Sequence, residues 1–99
     1  MNKEVFILQE DQIADVLKAL AHPSRIKIIK VLEKEERCVK DLEKLVMIKQ
    51  SNLSQHLRIL KDKGILECER EGMEVCYRIK DRKILDVIKC TEKFFTQGG

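Results

Sequence analysis

Seven polar side chains fall close together in the middle of the chain: Lys49, Gln50, Ser51, Asn52, Ser54, Gln55 and Arg58. Their amides, hydroxyls and guanidinium can donate and accept hydrogen bonds at base edges in a major groove. Most of them sit in a segment, 51–63, where Leu53, Leu57 and Leu60 recur at helical spacing. At about 100° per residue the leucines share one narrow sector, and Ser51, Gln55, Arg58 and Asp62 take the opposite side. Asn52 and Ser54 flank that polar side, and Lys49 and Gln50 just precede it. The result is a helix with a buried inner face and a hydrogen-bonding outer face concentrated at its N-terminus. An ordinary solvated amphipathic helix would carry the same leucine stripe, so the neighbouring segments must decide.

The cysteines form a second candidate set: Cys38, Cys68, Cys76 and Cys90, none of them in a C-x-x-C pair. Cys38 stands where a third helix needs its N-cap, beside Arg37 and Lys40, and both the helix dipole and the positive charge favour a thiolate there. Cys68 and Cys76 lie in a stretch that reads as a hairpin. A three-residue loop at 71–73 would set them opposite each other as a disulfide or dithiol, and a two-residue loop would put Cys68 opposite Val75. Cys90 shares a helix line with Val87 and Phe94, which suits burial at an interface. All four are candidates for redox or sulfur-species sensing, with a thiol-bound metal or metalloid also open as a cofactor. As small apolar core residues they would do neither. No metal-ligand set is assigned. His22 reads as a helix-end cap and His56 as a flank of the buried leucines.

The elements that must position these groups can be read in order. Val5 to Leu8 is a short apolar run leading into a first helix, 9–21, where Ile13, Val16, Leu17 and Leu20 form a stripe. His22-Pro23 closes it and opens a second helix, 24–33, with Pro23 in the first turn where its missing N–H costs nothing. Ile26, Ile28, Ile29, Val31 and Leu32 spread around this helix, which makes it the central one. Residues 35–38 are a connection with a residue or two of extended chain. The third helix, 39–46, follows, with Asp41 at the capping-box position. Met47 to Gln50 turns into the 51–63 helix, which Ser51 caps and Gly64 ends. Residues 65–79 alternate around a Glu71-Gly72 turn as a β-hairpin. A last helix, 81–95, has Asp81 as its cap and an apolar face of Ile84, Leu85, Val87, Ile88, Thr91, Phe94 and Phe95. Thr96 to Gly99 is a frayed tail.

Ninety-nine residues make one small domain, 1–99, with a modest core of the kind that oligomerisation often completes. The net charge of +3 comes from interspersed charges of both signs and is weak evidence for a nucleic-acid partner. No apolar run is long enough for a membrane span, and MNKEVF lacks a signal peptide's apolar region, so a cytoplasmic location is expected. A phosphate-cradling glycine loop, H-E-x-x-H and a nucleophile beside a base are all missing, which argues against an enzyme.

The order helix, helix, helix–turn–helix, hairpin, helix is a mostly α fold with a small β-hairpin: a winged helix-turn-helix with an extra helix at each end. From Ala19 to Ile79 the chain resembles the ArsR/SmtB family of winged-helix repressors. The residues that carry the likeness are Ala19-Leu20-Ala21-His22-Pro23-Ser24-Arg25, Cys38-Val39-Lys40-Asp41-Leu42, Gln50 to Leu57, Arg70-Glu71-Gly72 and Tyr77-Arg78. The resemblance implies a homodimer joined through the first and last helices. It also implies two recognition helices roughly 34 Å apart on an inverted-repeat operator of double-stranded DNA, and repression relieved by an effector. It places Gln50, Ser51, Asn52, Ser54, Gln55 and Arg58 at DNA-reading positions and Arg70 and Gly72 at the wing tip. The chain departs from the family in two ways. The wing carries Glu67, Glu69, Glu71 and Glu74 where relatives often have arginines, and such carboxylates repel phosphate. The C-V-C metal motif is here Cys38-Val39-Lys40, and the last helix has no histidine for the family's zinc site. The alternatives are an architectural DNA binder without an effector and a winged helix used for protein contacts.

Overall fold

The structure, a computed structural model, describes residues 3–96, with side chains from Gln9 onward. The elements run α1 (Lys3–Leu20), α2 (Pro23–Leu32), β1 (Arg37–Cys38), α3 (Val39–Val46), α4 (Gln50–Asp62), β2 (Leu66–Glu71), β3 (Glu74–Ile79) and α5 (Ile84–Thr96). The sheet is antiparallel in the order β1-β3-β2. This is the winged helix-turn-helix arrangement of five helices and a small sheet.

Helix α2 is the centre. Ile28, Ile29 and Leu32 are fully buried, and the helix packs on α1, α3, α4 and β3. Leu42 and Val46 of α3, Leu53, Leu57 and Leu60 of α4, and Ile65, Leu66 and Ile79 of the wing close over it. Leu85 and Ile88 of α5 and Ala19 and Leu20 of α1 complete the core. Pro23 takes the first turn of α2, and His22 caps it, its Nδ1 accepting from Ser24 N at 3.1 Å. At the end of α4, Gly64 has φ +75°, and Ile65 N donates to Leu60 O at 3.0 Å. That six-to-one bond is a Schellman closure, which needs the left-handed residue that glycine supplies most cheaply.

The structure moves several expected boundaries. Helix α1 begins at Lys3 rather than residue 9 and so takes in the Val5–Leu8 run, whose side chains lie outside the described residues. Helix α2 ends at Leu32, with Glu33 as its C-cap rather than its last turn. Helix α4 starts at Gln50, and its N-cap is Lys49, not Ser51, without a side-chain capping bond. Backbone geometry at the turn after Met47 (φ 56°) sets that start, overriding the serine's capping preference. Asp81 does not cap α5. It accepts from Lys83 N at 2.9 Å in a turn, and the helix begins at Ile84. Of the expected frayed tail, Gln97 to Gly99 lie outside the described residues.

The largest correction is in the wing register. The loop is Gly72-Met73 with Glu71 opposite Glu74, so Cys68 faces Tyr77 and Cys76 faces Glu69. Only the first loop residue, Gly72 (φ +67°), has positive φ among the pair, the pattern of a type II′ turn with glycine first. Cys68 and Cys76 therefore point to opposite faces of the sheet. The cysteine that Cys76 does meet is Cys38. The extended residues before α3 form β1, which pairs with β3 so that Cys38 and Cys76 are directly opposed and joined as a disulfide.

Candidate nucleic-acid interface

The α3–α4 unit presents one continuous polar surface. Leu42 and Val46 anchor α3, and Leu53, Leu57 and Leu60 anchor α4, all fully or almost fully buried. The opposite face of α4 is then forced outward. Lys49, Gln50, Ser51, Asn52, Ser54, Gln55 and Arg58 are all exposed, and they are concentrated in the first two turns of the helix. The helix N-terminus adds its own unpaired N–H groups to this surface, and these attract anionic groups such as phosphate oxygens. The loading of hydrogen-bonding side chains onto one helix end is the geometry by which a recognition helix meets base edges.

Three features set the electrostatics. Arg58 Nε lies 3.9 Å from Asp62 Oδ2, both well exposed, a weak pair that leaves the guanidinium available. At the wing tip, Arg70, Gly72 and Met73 are exposed. A cleft of about 340 Å³ is lined by Lys40, Gln50 and Ser54 from the helical unit and by Met73, Glu74 and Tyr77 from the wing, so wing and recognition helix flank one groove. The acidic wing is only partly neutralised. Arg78 bonds Glu67 at 3.1 Å and Glu69 at 3.0 Å and lies 3.9 Å from Glu36. Donating to Glu69 and then to Glu67 raises its pKa further. Arg78 is visible in the sequence only as a family-like residue; that it binds Glu67 and Glu69 depends on strand register.

Recognition helix and core are also linked from behind. Arg25 donates Nε to Ala19 O at 2.6 Å, and its Nη1 lies 3.2 Å from His56 Nδ1, while the His22 and His56 rings are 4.5 Å apart. Burial first, then the His22 and Arg25 charges, push the His56 pKa down. The neutral imidazole can accept the Arg25 bond; the charged form cannot. His56 is thus a positioning residue that ties α4 to the α1–α2 junction.

The cysteines fall into three environments. Cys38 is the N-cap residue of α3, as its position suggested, but its side chain makes no capping bond and instead joins Cys76. Cys68 is half-buried beside Tyr77, whose hydroxyl pKa is raised by burial and then by Cys68. Cys90 is exposed on α5. Ile13 and Leu17 of α1 and Val87, Phe94 and Phe95 of α5 are also exposed, Phe94 and Phe95 at 85% each. Leu17, Leu20, Val87, Ile88 and Phe95 line a groove of about 330 Å³. Among the described residues this is the largest accumulation of unpartnered apolar side chains, and it sits on the two terminal helices. No helix among the described residues is long and apolar enough to cross a membrane.

Residues 22–67, which hold α2, α3 and α4, match the family of bacterial regulatory proteins named for arsR. The chain is 40% identical over 78 residues to the HTH-type transcriptional repressor SmtB of Mycobacterium tuberculosis, an alignment covering 79% of this chain and 58% of that one. The chain thus spans little more than half the length of that relative. It is 30% identical over 95 residues to the biofilm growth-associated repressor of Xylella fastidiosa, covering 96% of this chain and 83% of that repressor. In three dimensions it is similar to the homodimeric winged helix-turn-helix DNA-binding domain of Mb0332 from Mycobacterium bovis. There the TM-score is 0.85 and the identity 28%, over 99% of this chain and 90% of the other.

Proposed function

The chain belongs to the ArsR family of bacterial regulatory proteins, and from that membership we propose that it is a sequence-specific DNA-binding transcriptional repressor that works as a homodimer. It is a regulator, not an enzyme. The observation that carries the reading is the exposed row Gln50, Ser51, Asn52, Ser54, Gln55 and Arg58 at the start of a helix locked down by three buried leucines. Gln55 and Arg58 would read base edges, the residues nearer the helix start would position the backbone, and Arg70 and Gly72 would approach it at the wing.

The apolar faces of α1 and α5 are the dimer surface in this reading. A two-fold dimer through them sets two copies of α4 on one side of the assembly, spaced for successive major grooves of an inverted repeat. Release from DNA is assigned to thiol chemistry. The Cys38–Cys76 bond joins the first residue of the helix-turn-helix to the wing, so making or breaking it changes how two DNA-facing parts are held.

The test is a binding titration on the promoter DNA of the protein's own gene at fixed salt with excess competitor, in reductant and again after mild oxidant or polysulfide. Tight binding in reductant, lost on oxidation and restored on re-reduction, is the expected result. Specific binding that ignores the thiol state would remove the switch and leave the repressor. Binding without sequence preference in both states would favour an architectural role.

A further inference from the structure

One face of the sheet carries chemistry that the DNA-binding reading does not use. Strand pleat puts Cys38 of β1, Cys76 of β3 and Glu69 and Glu71 of β2 on the same side, with Glu36 two residues before Cys38. Carboxylate oxygens of Glu36 and Glu71 and the Cys76 sulfur lie within 4.8 Å of one another, and the Cys38 sulfur is bonded to that of Cys76. Cys76 is 1% exposed, yet it packs outside the main apolar cluster of the molecule. Its sulfur has Cys38 as its one bonding partner, so breaking the disulfide leaves a buried polar side chain aimed at two carboxylates.

We propose that the reduced protein binds one thiophilic divalent cation of the zinc class through Cys38, Cys76, Glu36 and Glu71, and that the Cys38–Cys76 disulfide abolishes the site. Two sulfur and two oxygen donors from three chain segments suit four-coordinate zinc, whose ligands are thiolate, imidazole and carboxylate. The two carboxylates disfavour monovalent copper, which selects an all-sulfur environment. The donor atoms of Glu36, Glu71 and Cys76, within 4.8 Å of one another, are close enough to surround an ion held at roughly 2.0–2.3 Å from each, and the Cys38 sulfur, freed from Cys76 by reduction, supplies the fourth donor. The local charge agrees. Arg78 is shared among Glu67, Glu69 and, at 3.9 Å, Glu36, and no ion pair among the described residues reaches Glu71, so the cluster still has room for a cation's charge. The inference stands on this geometry alone and holds whatever DNA the chain binds.

The chemistry balances in two steps. A dithiol reductant gives two electrons and two protons to the Cys38–Cys76 bond and leaves as its own cyclic disulfide, giving two cysteine thiols. The divalent ion then displaces the two thiol protons to solvent as two metal–sulfur bonds form. Oxidation of the thiols removes both sulfur donors at once, so ion and disulfide exclude each other.

The experiment is a titration of the reduced chain with Cd2+, read by thiolate-to-cadmium charge-transfer absorption, and with Co2+, whose visible bands report a tetrahedral site. The expected result is saturation at one ion per chain with tetrahedral Co2+ bands, and no charge-transfer band from the disulfide form. Cys76→Ser should abolish the site. Because that residue is buried, Glu36→Gln and Glu71→Gln serve as variants that leave the core untouched, and each should weaken Cd2+ binding about tenfold or more. The proposal is overturned if the reduced chain gives no charge-transfer band. A band surviving in Cys38→Ser/Cys76→Ser, and so arising from Cys68 or Cys90, would also overturn it. So would affinity indifferent to both glutamate changes.

Discussion

Leu57 is one of the three leucines that seat α4 against the core, and Leu57→Ala is the perturbation that measures that seating. The residue is 1% exposed, lies between Leu53 and Leu60 on the inner line of α4, and belongs to the cluster closed over α2. Removing most of a fully buried leucine side chain loses transfer free energy and leaves a cavity that the helix cannot collapse into without giving up its neighbours. That combination costs about 3 kcal/mol, within the usual range for such sites. For a domain of this size each kcal/mol lowers the melting temperature by about 4–8 °C, so the fall should be roughly 12–24 °C. Thermal unfolding followed by circular dichroism, at one fixed protomer concentration because a dimer's melting point depends on it, reads the value. Ser54→Ala, one helical turn away on the outer face, is the control and should shift stability by about 0.5 kcal/mol at most. A Leu57→Ala loss below about 1 kcal/mol, or one no larger than the control, would refute the claim that α4 is held rigidly by its leucine face.

Protonation of His56 is opposed by burial and by the His22 and Arg25 charges, so its folded pKa lies below the unfolded value. The unfolded chain therefore binds the proton more readily. Stability is fully present above the ordinary histidine pKa of about 6.5 and is lost as pH falls through the folded pKa. His56→Gln should flatten that decline in denaturant titrations run from neutral to mildly acidic pH. Gly64→Ala meets open space but forces a left-handed alanine at φ +75°, so it should cost roughly 1 kcal/mol and lower the melting temperature by about 4–8 °C. Leu17→Asp/Phe95→Asp places charge on both exposed terminal-helix faces and should give a monomer by light scattering with helical content retained; an intact dimer would rule out this surface as the interface.

Local pattern carried most of the fold. Leucine spacing fixed the inner face of α4, the isoleucine spread marked α2 as the central helix, and Gly64 stopped α4 where it stood in the sequence. These signals lie within one or two turns of chain. The outward face of the recognition helix followed from the same leucines, because a helix with one buried line must expose the other. What the sequence withheld was long-range pairing. Whether Arg37-Cys38 forms a strand depends on β3, nearly forty residues away, and a one-residue change of wing register moves every side chain to the other face. For that reason spacing leaves Cys68 opposite either Cys76 or Val75, whereas the register sets it opposite Tyr77, and the Cys38–Cys76 pairing is not legible in the sequence. The same register gathers Glu36, Glu71, Cys76 and Arg78, so neither the sheet-face cluster nor the arginine that binds its glutamates could be read from spacing alone. The Arg25–His56 link likewise joins two helices whose crossing no local motif encodes.

DNA reading is assigned to the outer face of α4, and the most direct measurement compares wild type with Gln55→Ala and Arg58→Ala on specific and competitor DNA at one salt concentration. Each change should cost about 1–3 kcal/mol of discrimination and leave binding to competitor nearly unchanged, with dimerisation and melting temperature intact. Undiminished discrimination in both variants would contradict the assignment of α4 as the helix that reads the operator.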